Sequence, residues 1–255
     1  MSASGSEPQF GMTEERDVMV PMRDSTRVAV DIFRPDGDGA FPALLGMSPY
    51  GKGLQSLPIA YQPDHSPIHH TPIEAGDPAY FTARGYVQII ADVRGTGQSE
   101  GEYLGWISPQ EARDGYDLIE WMADQPWCDG NVGMVGISYF GTVQLPVAAE
   151  QPPHLKAIMP WNAPADFYRE STHHGGILQS FFHYLYVQRI CADRSTSVTV
   201  KNSSPDELRA LINELKQDPD ICINPEFFTF LDNPGKAPNF FDILAHPLDG
   251  PYYWE

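Results

Sequence analysis

Over the first two thirds of the chain, apolar positions come in short runs separated by turn residues. Residues 17–22 and 26–34 carry β-branched and apolar side chains on either side of Arg23-Asp24-Ser25, which predicts a β-hairpin. Residues 41–47 are a short apolar run, the pattern of a buried strand, and residues 86–91 predict another. Val132-Gly133-Met134-Val135 and Leu155-Lys156-Ala157-Ile158-Met159 predict two more strands. Between these runs the period changes. Residues 78–84 suit a short helix closed by Gly85. In 110–125, Ala112, Tyr116, Ile119 and Met122 recur at helical spacing, widened by Leu118, Trp121 and Ala123. Residues 139–150 predict a third helix, which Pro146 should kink or divide. Such alternation predicts an α/β fold with a mixed sheet, antiparallel at its start and parallel later. Ligands bind these sheets beyond the carboxyl ends of the strands. The loops from Ser48 to Gly53 and from Asp92 to Gly101, and Ser138, should therefore converge.

Residues 1–11 are polar and read as disordered. Residues 54–78 hold five prolines and three histidines without a period and read as a long surface loop. Beyond residue 161 the pattern changes: 162–190 is rich in aromatics and histidine, without strand alternation. Ser204-Pro205-Asp206-Glu207 is a capping box with proline at the first helical position. Leu208, Leu211, Ile212 and Leu215 form one apolar face behind it, and short helical pieces fill 218–255. This divides the chain into a core over 1–165 and a helical cap region over 166–255.

Composition narrows the function classes. Lys and Arg number 16 against 34 Asp and Glu, a formal net charge of -18. Nucleic acid and anionic membrane surfaces both need basic partners, so neither is expected. The acidity is either a solubilising surface or a field that attracts cationic substrates. Cys128, Cys191 and Cys222 make no disulfide framework, and no Cys/His cluster has zinc spacing, so no metal or cofactor is expected. No apolar leader opens the chain and no run has membrane length, which makes a cytoplasmic protein the expectation. The glycine-rich stretch from Asp92 to Gly101 fits neither the phosphate-loop nor the dinucleotide pattern. Asp114 and Asp117 are expected to cap a helix or face solvent rather than act as a catalytic pair.

One stretch carries chemistry. Gly136-Ile137-Ser138-Tyr139-Phe140-Gly141 lies between a predicted strand and a predicted helix, the setting of a nucleophile elbow. There a strained turn holds the serine hydroxyl clear of the sheet, and the next backbone N–H points where an oxyanion forms. The generic pattern is G-x-S-x-G; here Phe140 takes the second glycine position and Gly141 follows one residue late.

These residues resemble the G-x-S-Y-x-G elbow of the cocaine esterase and Xaa-Pro dipeptidyl-peptidase (CocE/NonD-type) family of α/β-hydrolases, which includes glutaryl acylases and α-amino-acid ester hydrolases. Pro49-Tyr50-Gly51-Lys52 resembles the family's P-Y-x-K loop. Asp92-Val93-Arg94-Gly95-Thr96-Gly97 with Ser99-Glu100-Gly101 resembles its D-x-R-G-x-G-x-S-x-G segment. Asp117-Leu118-Ile119-Glu120-Trp121, Gln125-Pro126-Trp127-Cys128-Asp129-Gly130, His154-Leu155-Lys156-Ala157 and Pro160 match in the same order. The resemblance is strong over 14–166 and loose beyond, as a helical cap. It implies a serine hydrolase that cleaves a small-molecule ester or amide through an acyl-enzyme. Ser138 would be the nucleophile; the Tyr50 hydroxyl and the Tyr139 N–H would bind the oxyanion.

A serine needs a base and the base an orienting carboxylate, which in this fold follow the elbow on later strands. One predicted strand follows it, and the family's acid, base and β-sandwich domain would lie beyond a segment resembling residues 246–254. The expectation is thus a sheet incomplete at its C-terminal edge, with the remaining segment or a second subunit as partner. Three readings stand: part of a split or longer hydrolase, a short esterase recruiting a cap histidine (His173, His174, His183 or His246), or an inactive binding-only relative.

Overall fold

Six strands form one mixed sheet: β1 (Met12–Pro21), β2 (Arg27–Pro35), β3 (Phe41–Ser48), β4 (Val87–Asp92), β5 (Cys128–Ile137) and β6 (Leu155–Trp161). Their order is β1-β2-β4-β3-β5-β6 in this computed structural model, which describes residues 7–53, 74–180 and 196–254. β1 pairs antiparallel with β2 and β2 with β4, whereas β3, β4, β5 and β6 run parallel, as the alternation predicts. β4 is buried along its whole length, and its polar Gln88 is accommodated by donating through Nε2 to the Ala75 carbonyl at 2.6 Å. The loops after β3, β4 and β5 therefore leave adjacent strands at one edge of the sheet. β6 borders the sheet and is half-buried to exposed, with Met159 and Trp161 open to solvent.

Helices α1 (Pro78–Thr82) and α2 (Pro109–Ala123) precede β4 and β5; α3 (Tyr139–Thr142) and α4 (Gln144–Ala149) follow the elbow. The third predicted helix is divided ahead of its proline, at Val143. Pro146 has no N–H for the Thr142 carbonyl four residues back, and its ring crowds that turn. Residues 7–11 correct the expected disorder. The Gln9 N–H donates to the Ala83 carbonyl at 2.7 Å, and the Phe10 ring meets Phe41 edge-on at 5.2 Å.

Contacts divide the chain into two units, residues 1–101 with 109–163, and residues 102–108 with 164–255. The second unit packs around Phe227, Phe230, Phe240 and Phe241, all buried. It holds α5 (Val198–Asn202), α6 (Pro205–Leu215), where both capping-box hydrogen bonds form, and α9 (Pro238–Ala245), with α7 (Pro219–Cys222) and α8 (Phe228–Asp232) between them. Asp242 of α9 is fully buried and accepts from the Val198 and Thr199 N–H groups, capping α5. A two-residue hairpin, β7 (His173–His174) and β8 (Ile177–Leu178), interrupts the stretch read as lacking strands; it is too short for alternation to register. Among the described residues no helix is long and apolar enough to cross a membrane. His69, His70, His183, Cys191 and most of the predicted surface loop lie outside the described residues.

The sheet edge at the candidate site is set by a buried ion cluster in the first unit. Lys52 is 5% exposed. Its Nζ donates to Asp92 Oδ2 at 3.0 Å and to Asp17 Oδ1 at 2.8 Å, with Asp31 Oδ1 at 3.8 Å. Asp17 reaches it from the β-bulge in β1, at a backbone φ of 52°. Burial disfavours the ammonium charge, but the hydrogen bonds to Asp17 and Asp92 outweigh it and raise the Lys52 pKa. A side chain at Gly97 would place its Cβ 1.9 Å from Asp92 Oδ2, so only glycine closes this loop. K52M keeps the stem and strands a buried carboxylate. It is expected to cost about 3–5 kcal/mol in urea unfolding at neutral pH. Because the folded pKa is raised, this contribution is complete below the ordinary lysine range and fades only as pH rises through the folded value.

Candidate active site

Ser138 sits between β5 and α3 with φ 59° and ψ -121°, outside any regular helix and half-buried. A β-carbon-bearing residue at positive φ is strained by about 1–3 kcal/mol and persists only where its surroundings impose it. Those surroundings are visible. The Ser138 N–H donates to the Trp161 carbonyl at 3.0 Å, and the Ser138 carbonyl accepts from Gly141 and Thr142, starting the helix. A Cβ at Gly141 would lie 2.8 Å from the Trp161 carbonyl oxygen, so glycine here lets the helix approach β6. Phe140 folds back over Gly136, where a Cβ would lie 2.3 Å from Phe140 Cβ. The displaced second glycine thus serves the contact with β6, and the aromatic in its usual place belongs to the core.

Tyr139 has separate uses for backbone and side chain. Its buried hydroxyl donates to Glu111 Oε1 at 2.6 Å, tying the elbow to the first turn of α2. Its N–H is the first of α3, where helical geometry provides no acceptor within the helix.

Tyr50 comes from the loop after β3, two residues before the buried Lys52. Its ring meets Tyr139 edge-on at 5.8 Å and Phe140 at 5.9 Å, the two residues that follow Ser138. The Lys52 N–H donates to Asp92 Oδ1 at 2.6 Å, which fixes the loop backbone as well as its side chain. The structure thus brings Tyr50, Ser138 and Tyr139 together, along with a residue that sequence reading passed over. Glu74 is half-buried, and its backbone carbonyl accepts from the Ile137 N–H at 2.9 Å. Burial pushes the Glu74 carboxyl up to about 7. The available signal was an acidic residue among apolar ones, Ile73-Glu74-Ala75, ahead of a helix.

The segment from Asp92 to Gly101 is a scaffold. Arg94 forks onto Asp114 at 2.7 and 2.8 Å and reaches Asp24 at 2.6 Å. Asp114 is buried, which corrects the expectation of a capping or solvent-facing residue; the arginine from the neighbouring loop makes that burial tolerable. Asp117 pairs instead with Arg23 at 2.7 Å. Among the described residues, no group of acidic, histidine or cysteine side chains could hold a metal ion.

His154 is the single histidine among the described residues of the first unit, and its Nδ1 lies 2.8 Å from Glu120 Oε2. The pair has the composition of a base and its orienter. However, the His154 carbonyl accepts from Val132, five residues before Ile137 along β5, so it lies at the opposite end of the strand from Ser138. In the second unit, the His173 ring stacks on Tyr168 at 4.5 Å and that of His246 on Tyr252 at 4.3 Å, both in local aromatic packing. His174 hydrogen-bonds the Glu170 carbonyl at 2.8 Å.

Residues 24–218 match the X-Pro dipeptidyl-peptidase (S15 family). The chain is 40% identical over 153 residues to the cocaine esterase of Rhodococcus sp. (strain MB1 Bresler), a match covering 60% of this chain and 24% of that protein. Among solved structures, it resembles a CocE/NonD family hydrolase from Staphylococcus aureus with TM-score 0.63 and 39% identity, over 70% of this chain and 33% of the other. An aminopeptidase from the marine sediment archaeon Thaumarchaeota archaeon shares the fold over 98% of this chain and 41% of its own, with TM-score 0.64 at 22% identity. The chain thus spans about a quarter of the length of the curated esterase and a third of that of the solved hydrolase. The family match takes in most of the chain, including the loop of Tyr50, the scaffold around Asp92 and the elbow, and so the chain belongs to the X-Pro dipeptidyl-peptidase (S15) family, with an α/β-hydrolase fold.

Proposed function

We propose that this chain carries the nucleophile and the oxyanion donors of a serine hydrolase that cleaves an ester or amide through an acyl-enzyme. The observation that carries the reading is Ser138 at φ 59° on a strand–turn–helix, with the Tyr50 ring against the two residues that follow it. The serine Oγ attacks the acyl carbon, and the charge that develops on the carbonyl oxygen is received by the Tyr50 hydroxyl and the Tyr139 N–H. The leaving alcohol or amine departs, and water then hydrolyses the acyl-serine. Relatives named as an esterase and as an X-Pro dipeptidyl-peptidase family support acyl transfer. A small acyl compound is the substrate class, with nucleic acid and membrane excluded by the acidic balance.

The described residues of the first unit supply no histidine at the Ser138 end of the sheet, which favours a base contributed by another part of the polypeptide or by a partner. The same observation keeps a binding-only relative as the second reading.

A fluorophosphonate probe tests the proposal. With a family C-terminal segment supplied, Ser138 should label stoichiometrically, and S138A should abolish the labelling; a wild-type chain that stays unlabelled and inert with that segment overturns hydrolysis in favour of binding. Y50F should slow labelling and p-nitrophenyl ester turnover by about a hundredfold or more while unfolding at a similar urea concentration.

A further inference from the structure

The peptide between Ser138 and Tyr139 carries the proposed oxyanion N–H, and α3, which it opens, is a poor holder of direction. The helix is four residues long and is broken from α4 at Val143. The Ser138 side chain does not cap it. The Ser138 carbonyl accepts from the N–H groups of Gly141 and Thr142 and from the Thr142 hydroxyl, all of them in α3 itself. These bonds tie the peptide to the helix without fixing where the helix points. A single turn is not stable alone, so packing must impose its direction.

Phe140 and Gly141 hold α3 against the sheet. Tyr139 is its longest lever. Its side chain is fully buried and ends in a hydrogen bond of 2.6 Å to Glu111 Oε1, the length of a charge-assisted O–H bond to a carboxylate. Glu111 is buried and is the third residue of α2, at the end where the helix dipole favours a carboxylate. This anchor is secured independently of the elbow. One turn on, Asp114 is gripped by the Arg94 fork, and Asp117 pairs with Arg23. Gly115 packs so closely on α4 that a Cβ there would lie 2.4 Å from Val147 Cγ2.

We propose that Glu111 is a positioning residue that acts through Tyr139: by holding the phenol from α2, it sets the rotation of α3 and so aims the Tyr139 N–H at the oxyanion. This rests on the assignment of that N–H as an oxyanion donor. The requirement is one of reach. An acceptor oxygen at the length of a glutamate side chain serves, and one a methylene shorter does not.

The test uses the whole chain with a family C-terminal segment supplied. It follows the rate of Ser138 labelling by a fluorophosphonate in wild type, E111D, E111Q, Y139F and E111D/Y139F. Removing an oxyanion donor costs about a hundredfold or more; misdirecting one should cost part of that, about tenfold in E111D and in Y139F. E111Q keeps an oxygen at the same reach and should recover most of the wild-type rate. Both single variants break one contact, so the double variant should lose no more than either. The preference for an ester over its thiono analogue, whose sulfur accepts hydrogen bonds poorly, should fall in step. Losses that multiply in the double variant, an E111Q chain as slow as E111D, or an unchanged ester-to-thionoester ratio overturn the proposal.

A second readout needs no reacting serine. The residual dipolar coupling of the Tyr139 amide reads its N–H direction. It should match wild type in E111Q and depart from it in E111D and Y139F, while the couplings of β5 stay unchanged. A Tyr139 coupling indifferent to E111D and Y139F overturns the proposal even if labelling slows. Should Y139F fail to fold, the contrast of E111D with E111Q carries both readouts. If Ser138 labels in no variant, wild type included, the hydrolase reading fails by itself, and the coupling alone decides whether Glu111 aims the amide.

Discussion

The site depends on an ammonium group that is kept charged without water. Lys52 is buried, so its charge is tolerable only where carboxylates meet it. Asp92 does so from the end of β4, Asp31 from β2, and Asp17 from a bulge in β1. Three strands and the loop after β3 are thereby fixed to one point. Tyr50 is two residues away on that loop, and its ring position follows from this anchoring. Gly97 has no side chain because the Asp92 carboxylate already occupies the space. Lys52 of the P-Y-x-K stretch and Asp92 of the D-x-R-G-x-G stretch thus form one ionic joint, and that pairing is structural. Arg94 extends the joint by tying Asp114 and Asp24 to the same loop.

The elbow obeys a different constraint, that of close approach. A helix must leave the end of β5 and pack at once against β6. The Trp161 carbonyl accepts from the Ser138 N–H and would touch any side chain at Gly141. Ser138 is left at positive φ because its neighbours on both sides are spoken for. The strain is concentrated on the residue whose hydroxyl must stand away from the sheet. Tyr139 secures the arrangement from behind through Glu111 and so anchors the helix. Glu74 enters the same neighbourhood with a second positive φ, and burial raises the proton affinity of its carboxyl.

Much of the core was legible because its signals are local. The runs 41–47 and 86–91 are buried strands for the reason their composition suggests, and the stripe on α2 follows the helical period. The elbow could be read because strand, serine and glycine are contiguous. Asp114 could not be read, since its burial depends on an arginine twenty residues earlier in the sequence. Residues 7–11 looked disordered because most are polar, yet backbone hydrogen bonds to Ala83 and the packing of Phe10 on Phe41 hold them. Pro146 signalled a break, and its missing N–H put that break one turn earlier.

The sequence by itself determined the strand–helix alternation, the parallel sheet with its antiparallel start, and the serine on its turn. These follow from periodicity and from the covalent limits of proline and glycine, which act over a few residues. Only the tertiary structure decided that Tyr50 lies against the elbow, that the His154–Glu120 pair stands at the far end of the strand, and that the Glu74 carbonyl accepts from Ile137 just ahead of the serine. The physical reason is that burial and charge pairing are properties of a place. A carboxylate in the chain is one letter; its proton affinity is set by which groups the fold brings within reach and how much water it leaves there.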